Sequence, residues 1–207
     1  GKHVILVVGT DCAIGKMTVA LELRRAAQEA GLSAAFVPTG QTGIMIEGWG
    51  VSVDRVISDF INGTAEWLVE QAEEMGDWIF VEGQGSIDHP AYSAVTLGLI
   101  HGTTPQAMVL VHQPRRSGHF GWERATGATA PTLSLADNIR LYEAVANAVA
   151  PSRVAAVALN TALLEEEAAQ TEIARVAAET GLPVDDPYRF GPQRLFAQLR
   201  ASLEEDG

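Results

Sequence analysis

The chain has 207 residues, 47% hydrophobic and 19% charged, which suits one domain with a sizeable core and argues against global disorder. A formal net charge of −12 repels nucleic acid and anionic membranes, so neither is expected as a partner, and any anion site must concentrate N–H groups and cations locally. The single cysteine, Cys12, excludes an intrachain disulfide and fits a reducing cytoplasm; no signal peptide precedes the first strand, and no apolar run approaches the length of a membrane span.

The abrupt entry into structure after Gly1, Lys2 and His3 suggests a domain trimmed from something longer. Val4 to Val8 is short, β-branched and wholly apolar, the pattern of a strand buried on both faces of a parallel sheet. Helical spacing follows from Lys16 to Ala30, stopped by Gly31. Ser33 to Val37 reads as a second strand, and Val51 to Met75 as mostly helical with a break at Gly63. Strands are expected at Trp78–Val81, Met108–Val111 and Val154–Leu159. Helices are expected at Leu133–Ala150, Leu163–Thr180 and Pro192–Leu203, with a polar loop over Asp185–Gly191. The alternation predicts an α/β fold, a doubly wound, mostly parallel sheet between two helical layers, as in P-loop nucleotide-binding domains. A single domain is expected over 1–207.

The strongest motif is Gly9-Thr10-Asp11-Cys12-Ala13-Ile14-Gly15-Lys16-Met17-Thr18, set between a buried strand and a helix. Glycines let the backbone wrap phosphate oxygens, the helix N-terminus supplies positive potential, and Lys16 adds a cation for the terminal phosphates. This composition predicts binding of ATP with Mg²⁺. Two departures stand out: five residues separate the glycines rather than four, and Met17 replaces the usual Ser or Thr after the lysine. At ~100° per residue, Thr18 points elsewhere than that hydroxyl would. Asp11, Thr18 and Glu82 are the candidate metal ligands, since Mg²⁺ takes one or two carboxylates beside phosphates and water.

Three stretches, GTDCAIGKMT (9–18), VEGQGS (81–86) and ALNT (158–161), resemble dethiobiotin synthetase and related P-loop proteins. That resemblance implies metal binding by Asp11 and Glu82 and adenine recognition by Asn160; Met17 departs from the family's Thr. A second resemblance covers essentially the whole chain. GTDCAIGKMT, FVPTGQTGIMIEGWGVSVDRVISDF (36–60) and GLPVDDPYRFG (181–191) look like the C-terminal P-loop domain of the D-glutamate N-acetyltransferase-like (DgcN-like) family. It implies acetyl transfer from acetyl-CoA to the amine of D-glutamate, and an N-terminal Rossmann-like domain that is absent here.

Other polar groups cluster after the strands. Thr39 to Gly43 reads as a substrate or phosphate loop, with Gln41 and Thr42 as candidate contacts, and Asp54 as a ligand for a substrate ammonium. His112-Gln113-Pro114-Arg115-Arg116-Ser117-Gly118-His119 is the densest cationic cluster, at a strand end where open α/β sheets bind ligands. Arg115 and Arg116 are expected to clamp an anion and His112 to serve as a base; the alternative is a surface loop tied to nearby acids. Cys12 is either a small loop filler or, with a thiol pKa lowered by the helix N-terminus, a nucleophile. Asp186, Arg189 and Phe190 lie where the related P-loop folds close over the base; the alternative is a turn with an exposed salt bridge. The four tryptophans read as core or interface.

Three functions fit these motifs. One is ATP-dependent phosphoryl transfer to, or amide ligation of, a small carboxylate or amino acid. Another is the acetyl-CoA-dependent N-acetyltransferase implied by the second resemblance. The third is a nucleotide-gated binding module. A homo-oligomer is expected, because related P-loop proteins dimerise across the nucleotide.

Overall fold

A computed structural model describes residues 1–116, 118–128 and 130–204. Six parallel strands form one sheet: β1 (His3–Gly9), β2 (Ala34–Val37), β3 (Trp78–Glu82), β4 (Ala107–His112), β5 (Arg153–Leu159) and the short β6 (Val184–Asp185). Their spatial order is β2-β3-β1-β4-β5-β6. The first strand is therefore central, paired with β3 on one side (Val7 opposite Glu82) and β4 on the other (Gly9 opposite Val111). The chain winds outward from β1 in both directions, so the loop leaving β1 sits at the switch point, where open α/β sheets form their binding crevice.

Residues of β1 alternate between two cores. Val4, Leu6 and Val8 enter one apolar cluster, Ile5 and Val7 the other, and all five are buried. This explains a strand with no polar face. The first cluster is closed by α3 (Ile61–Glu73), α4 (Ser93–Thr103), α6 (Leu135–Ala146) and α7 (Glu166–Thr180), the second by α1 (Lys16–Glu29) and α8 (Gln193–Glu204). Short helices α2 (Gln41–Glu47) and α5 (Trp122–Thr126) decorate the loops after β2 and β4.

Two helices depart from the sequence expectation. The segment expected as a loop at 39–43 becomes the start of α2. No side chain caps this helix; Gly40 occupies the cap position, and the N–H groups of Thr39 and Gly40 donate to Glu82. Helix α4 carries no amphipathic signal because it is apolar nearly all round and lies against α3. A Cβ at Gly98 would stand 2.2 Å from Ile61, and one at Gly102 2.2 Å from the Asn62 carbonyl oxygen. Those glycines set the approach of the two helices. The stretch expected as helix from Val51 instead forms two single 3-10 turns before α3 starts at Ile61, and Gly63 lies within that helix. None of the helices is long and apolar enough to cross a membrane, among the described residues.

Candidate functional site

The loop from Gly9 to Gly15 leaves the sheet with Thr10 N–H on the Val111 carbonyl (3.0 Å) and enters α1 at Lys16. Tyr142 of α6 is fully buried beneath it; its hydroxyl donates to the Gly9 carbonyl at 2.7 Å and accepts from Ile87 N–H at 3.1 Å. The Lys16 ammonium is also buried and donates to the Asp11 carbonyl at 2.6 Å. Burial pushes its pKa down to about 8, against the pull of Cys12, Asp11 and Glu82. A buried cation held by one neutral acceptor is poised for an anion.

Asp11 is placed differently from its expected metal role. Its carboxylate is wholly buried and already saturated. One oxygen accepts Cys12 N–H (2.7 Å), the other Arg116 Nη1 (2.5 Å), and Phe120 N–H reaches both, at 3.1 and 2.9 Å. Arg116 also donates to the Cys12 carbonyl and lies over the Phe120 ring. Two buried histidines back this pair. His119 Nδ1 is 3.6 Å from Asp11, and His89 Nε2 is 4.0 Å away. Asp11, Cys12 and His89 bring potential ligand atoms within 4.8 Å of one another. However, His89 Nδ1 accepts Ala91 N–H at 3.0 Å, so its Nε2 carries the proton and faces the Phe120 carbonyl. That nitrogen has no lone pair to give. The cluster is a lock between the phosphate loop and the 113–121 loop. Nor is the Cys12 thiol activated: burial pushes its pKa up, contrary to the lowering expected beside a helix N-terminus.

The expected arginine clamp does not form. Arg116 is spent on Asp11, while Arg115 is exposed, with φ 66°. Ser117 lies outside the described residues. His112, expected as a base, accepts or donates to the Thr10 hydroxyl at 3.0 Å, and burial lowers its pKa. It is a neutral strut under the loop and lines neither of the clefts described next.

A cleft of about 670 Å³ opens beside the loop, walled by Lys16, Met17, Asp54, Glu82, Gln84 and Tyr92 among others. A shallower recess of about 330 Å³ shares Met17, Asp54, Glu82 and Gln84 and adds Gln41 and Thr42. The substrate residues expected from sequence thus converge, although Gln41 and Thr42 sit on the first turn of α2. Asp54 accepts from the Ser52 hydroxyl at 2.8 Å. Glu82, at the end of β3, has one oxygen fixed by Thr39 N–H (3.0 Å) and Gly40 N–H (3.1 Å). Burial raises its pKa, with those two N–H groups and Lys16 opposing. Only glycine fits at 43, where a Cβ would lie 2.6 Å from the fixed Glu82 oxygen. Thr39 is fully buried between these groups; its hydroxyl donates to the Glu82 carbonyl (2.7 Å) and accepts from Gln84 (3.1 Å). The hydroxyl usual after the lysine is replaced by the Met17 thioether, a weak acceptor.

On the far side of the loop a second cleft of about 560 Å³ is lined by Ile14, Gly15, Thr18, Asn160, Tyr188 and Arg189, among others. Thr18 borders both main clefts. Asn160 donates to the Ile14 carbonyl at 3.0 Å and so fixes the loop from β5. The Asp186 carboxylate is buried and saturated by Thr161 N–H (2.9 Å), the Thr161 hydroxyl (2.6 Å), Tyr188 N–H (3.1 Å) and Arg189 N–H (2.9 Å). It lines this cleft with its carboxylate oxygens already engaged by protein donors. Sequence reasoning missed Gln84, Tyr92, His89, Phe120 and Tyr142; only the Gln84 and Tyr92 stretches carried a signal, as polar and Gly-rich residues following a buried strand.

Residues 1–196 match the family described as the domain of unknown function (DUF1611_C) P-loop domain. A protein of Tritonibacter scottomollicae named D-glutamate N-acetyltransferase is 39% identical over 95% of this chain and 57% of its own length. A crystal structure of a DUF1611 family protein from Anabaena variabilis superposes with a TM-score of 0.90 at 42% identity, over 97% of this chain and 57% of that one. The chain thus spans less than three fifths of either relative. The fold alone is shared with cobyrinic acid a,c-diamide synthase of Mycobacterium smegmatis, solved with bound ATP analog and magnesium (TM-score 0.57, 11% identity, 99% and 96% covered). With its central strand, phosphate loop and near-complete match, the chain belongs to the DUF1611_C P-loop domain family.

Proposed function

We propose that this chain is the phosphate-holding domain of an N-acetyltransferase that takes acetyl-CoA as donor and the amine of an acidic amino acid, D-glutamate, as acceptor. The observation that carries the reading is the pair of clefts meeting at the loop segment Ile14 to Thr18. A ligand with a base at one end, a diphosphate in the middle and a reactive group at the other end would span them. Coenzyme A has that form. Its adenine would lie against Asn160 and Tyr188, its diphosphate at the loop N–H groups and Lys16, and its thioester arm in the cleft that Glu82 lines. The relative's name supplies the reaction. The amine nitrogen attacks the thioester carbonyl, the C–N bond forms, the C–S bond breaks, and the sulfur leaves as thiolate while the amine gives up a proton.

Asp11 is saturated by three N–H donors and Met17 supplies no hydroxyl, so among the described residues Glu82, with Thr18 and Asp54 nearby, would be the group to hold a phosphate-bound Mg²⁺ ion at the loop. A second reading, ATP-dependent phosphoryl transfer or ligation, keeps one specific support: the carboxylate of Glu82 lies near the buried Lys16, as a phosphate-bound metal would require.

Calorimetric titration with acetyl-CoA and, separately, with Mg·ATP decides between them, together with mass spectrometry of D-glutamate incubated with each donor. Acetyl-CoA binding lost in Lys16→Ala, with N-acetyl product in the full chain, is the expected result. Binding of Mg·ATP alone, with ADP released in the presence of an amino acid, would replace this reading with the second.

A further inference from the structure

Glu82 has two oxygens in unlike surroundings. One is pinned by Thr39 and Gly40 N–H at 3.0 and 3.1 Å; the other receives no hydrogen bond from the described residues. Its side chain lines both the larger cleft and the recess that adjoins it. The pinned oxygen fixes the carboxylate plane, and the cradle is tight: Gly40 and Gly43 both lie where a Cβ would press on Glu82 or its neighbour Gln84. The free oxygen is thereby presented with a defined direction. The other ionisable side chains lining that cleft are Lys16 from α1, Asp54 from the 3-10 turn after α2, Cys12 from the loop and Tyr92 before α4. With Lys16 engaged on phosphate, the carboxylates of Asp54 and Glu82 leave an acidic wall that draws an ammonium rather than a carboxylate.

We propose that Glu82 is the proton acceptor for the acceptor amine: its free oxygen holds the substrate ammonium, takes one proton from it, and releases the neutral amine to attack the acetyl carbonyl. The inference rests on the acetyl-transfer reading above. The ammonium loses one proton to Glu82 and a second as the C–N bond forms; the departing thiolate takes up the second, and Glu82 releases the first to solvent, which restores the base. A carboxylate held in one direction by two backbone N–H groups, with its second oxygen unpaired beside the cleft, has the geometry this role needs. Gln84 and Asp54 line the same cleft and would help to orient the amine.

The test uses the full chain and compares wild type, Glu82→Gln and Gly43→Ala with acetyl-CoA and D-glutamate. Glu82→Gln keeps an acceptor for Thr39 and Gly40, so folding and acetyl-CoA affinity should stay within about twofold. kcat should fall by roughly 10²–10⁴-fold, the usual contribution of a positioned base. The acidic limb of its pH–rate profile should vanish, and hydroxylamine, already neutral at assay pH, should be acetylated with a much smaller loss. Gly43→Ala displaces the pinned oxygen but retains the carboxylate; it should lower kcat less and keep the acidic limb. Glu82→Gln activity within threefold of wild type overturns the proposal. So does a wild-type rate that requires Mg²⁺, with the mutation shifting the Mg²⁺ dependence, because Glu82 is then a metal ligand. A wild-type protein that binds acetyl-CoA yet forms no N-acetyl product overturns the acetyl-transfer reading, and this role with it.

Discussion

Asp11 and Glu82 are both buried carboxylates at the ends of adjacent strands, and sequence gives both the same task. The structure treats them oppositely. Asp11 accepts from Cys12, Phe120 and Arg116 until neither oxygen is free. Glu82 has one oxygen held and one open to a cleft. A saturated carboxylate is architecture: it joins the phosphate loop to the 113–121 loop. A half-saturated one, fixed in direction and still able to accept, is suited to chemistry. Residue type and motif position do not separate the two cases; the count of donors does.

The sharpest way to break that contrast is to empty the saturated site. Asp11→Ala leaves Arg116 with its guanidinium partly buried and no counter-charge, and strips Phe120 N–H of its acceptor. A loss of about 3 kcal/mol is expected from breaking such a pair, read as a lowered urea midpoint. If the midpoint barely moves, the lock is not structural. Gly43→Ala tests the other region. Its Cβ would sit 2.6 Å from the pinned Glu82 oxygen and 3.0 Å from Pro38, so about 1–3 kcal/mol of overpacking strain is expected by the same measurement. Tyr142→Phe removes the hydroxyl between the Gly9 carbonyl and Ile87 N–H, both from the loops that flank the site. Two buried backbone groups lose their partner, and about 1–2 kcal/mol should follow.

How much of this was legible in sequence depends on the range over which it is decided. The central strand, the phosphate loop and Lys16 were readable because their signals are local: an apolar β-branched run, a Gly-framed turn and a helix start. Helix α2 was not, because its cap is Gly40 and its first turn holds Gly43, which sequence reads as a flexible loop; a Cβ at Gly43 would press on Glu82 and one at Gly40 on Gln84. Helix α4 was not, because apolar residues all round it erase the period. The partners were the least legible. Arg116 reaches Asp11 across 105 positions, Glu82 meets Thr39 across 43, and Asn160 meets Ile14 across 146. These pairings follow from strand order, which brings the ends of β2, β3, β4 and β5 around the end of β1. The cationic run at 112–119 was therefore visible, but not that one arginine turns inward and the other outward.

A last expected effect concerns Lys16 and sharpens the contrast from the cation's side. Its pKa is pushed down to about 8 by burial, below the ordinary lysine value of 10.5. Between those values the unfolded chain holds a proton that the folded one has released, so stability should rise with pH from about 8 to 10.5. The gain is lost as pH falls through 8, where both states are protonated and the fold must bury the charge. The difference in urea midpoint between wild type and Lys16→Met isolates that slope; a parallel pair of curves would mean that Lys16 is not desolvated. An anion at the loop should pull the pKa back up, so binding at pH 8 should take up roughly half a proton. Titration of acetyl-CoA in two buffers of different ionisation enthalpy reads this uptake directly. Equal heats in both buffers would mean that the phosphates sit away from Lys16, and that the open side of the loop, like the locked side, is occupied by the protein itself.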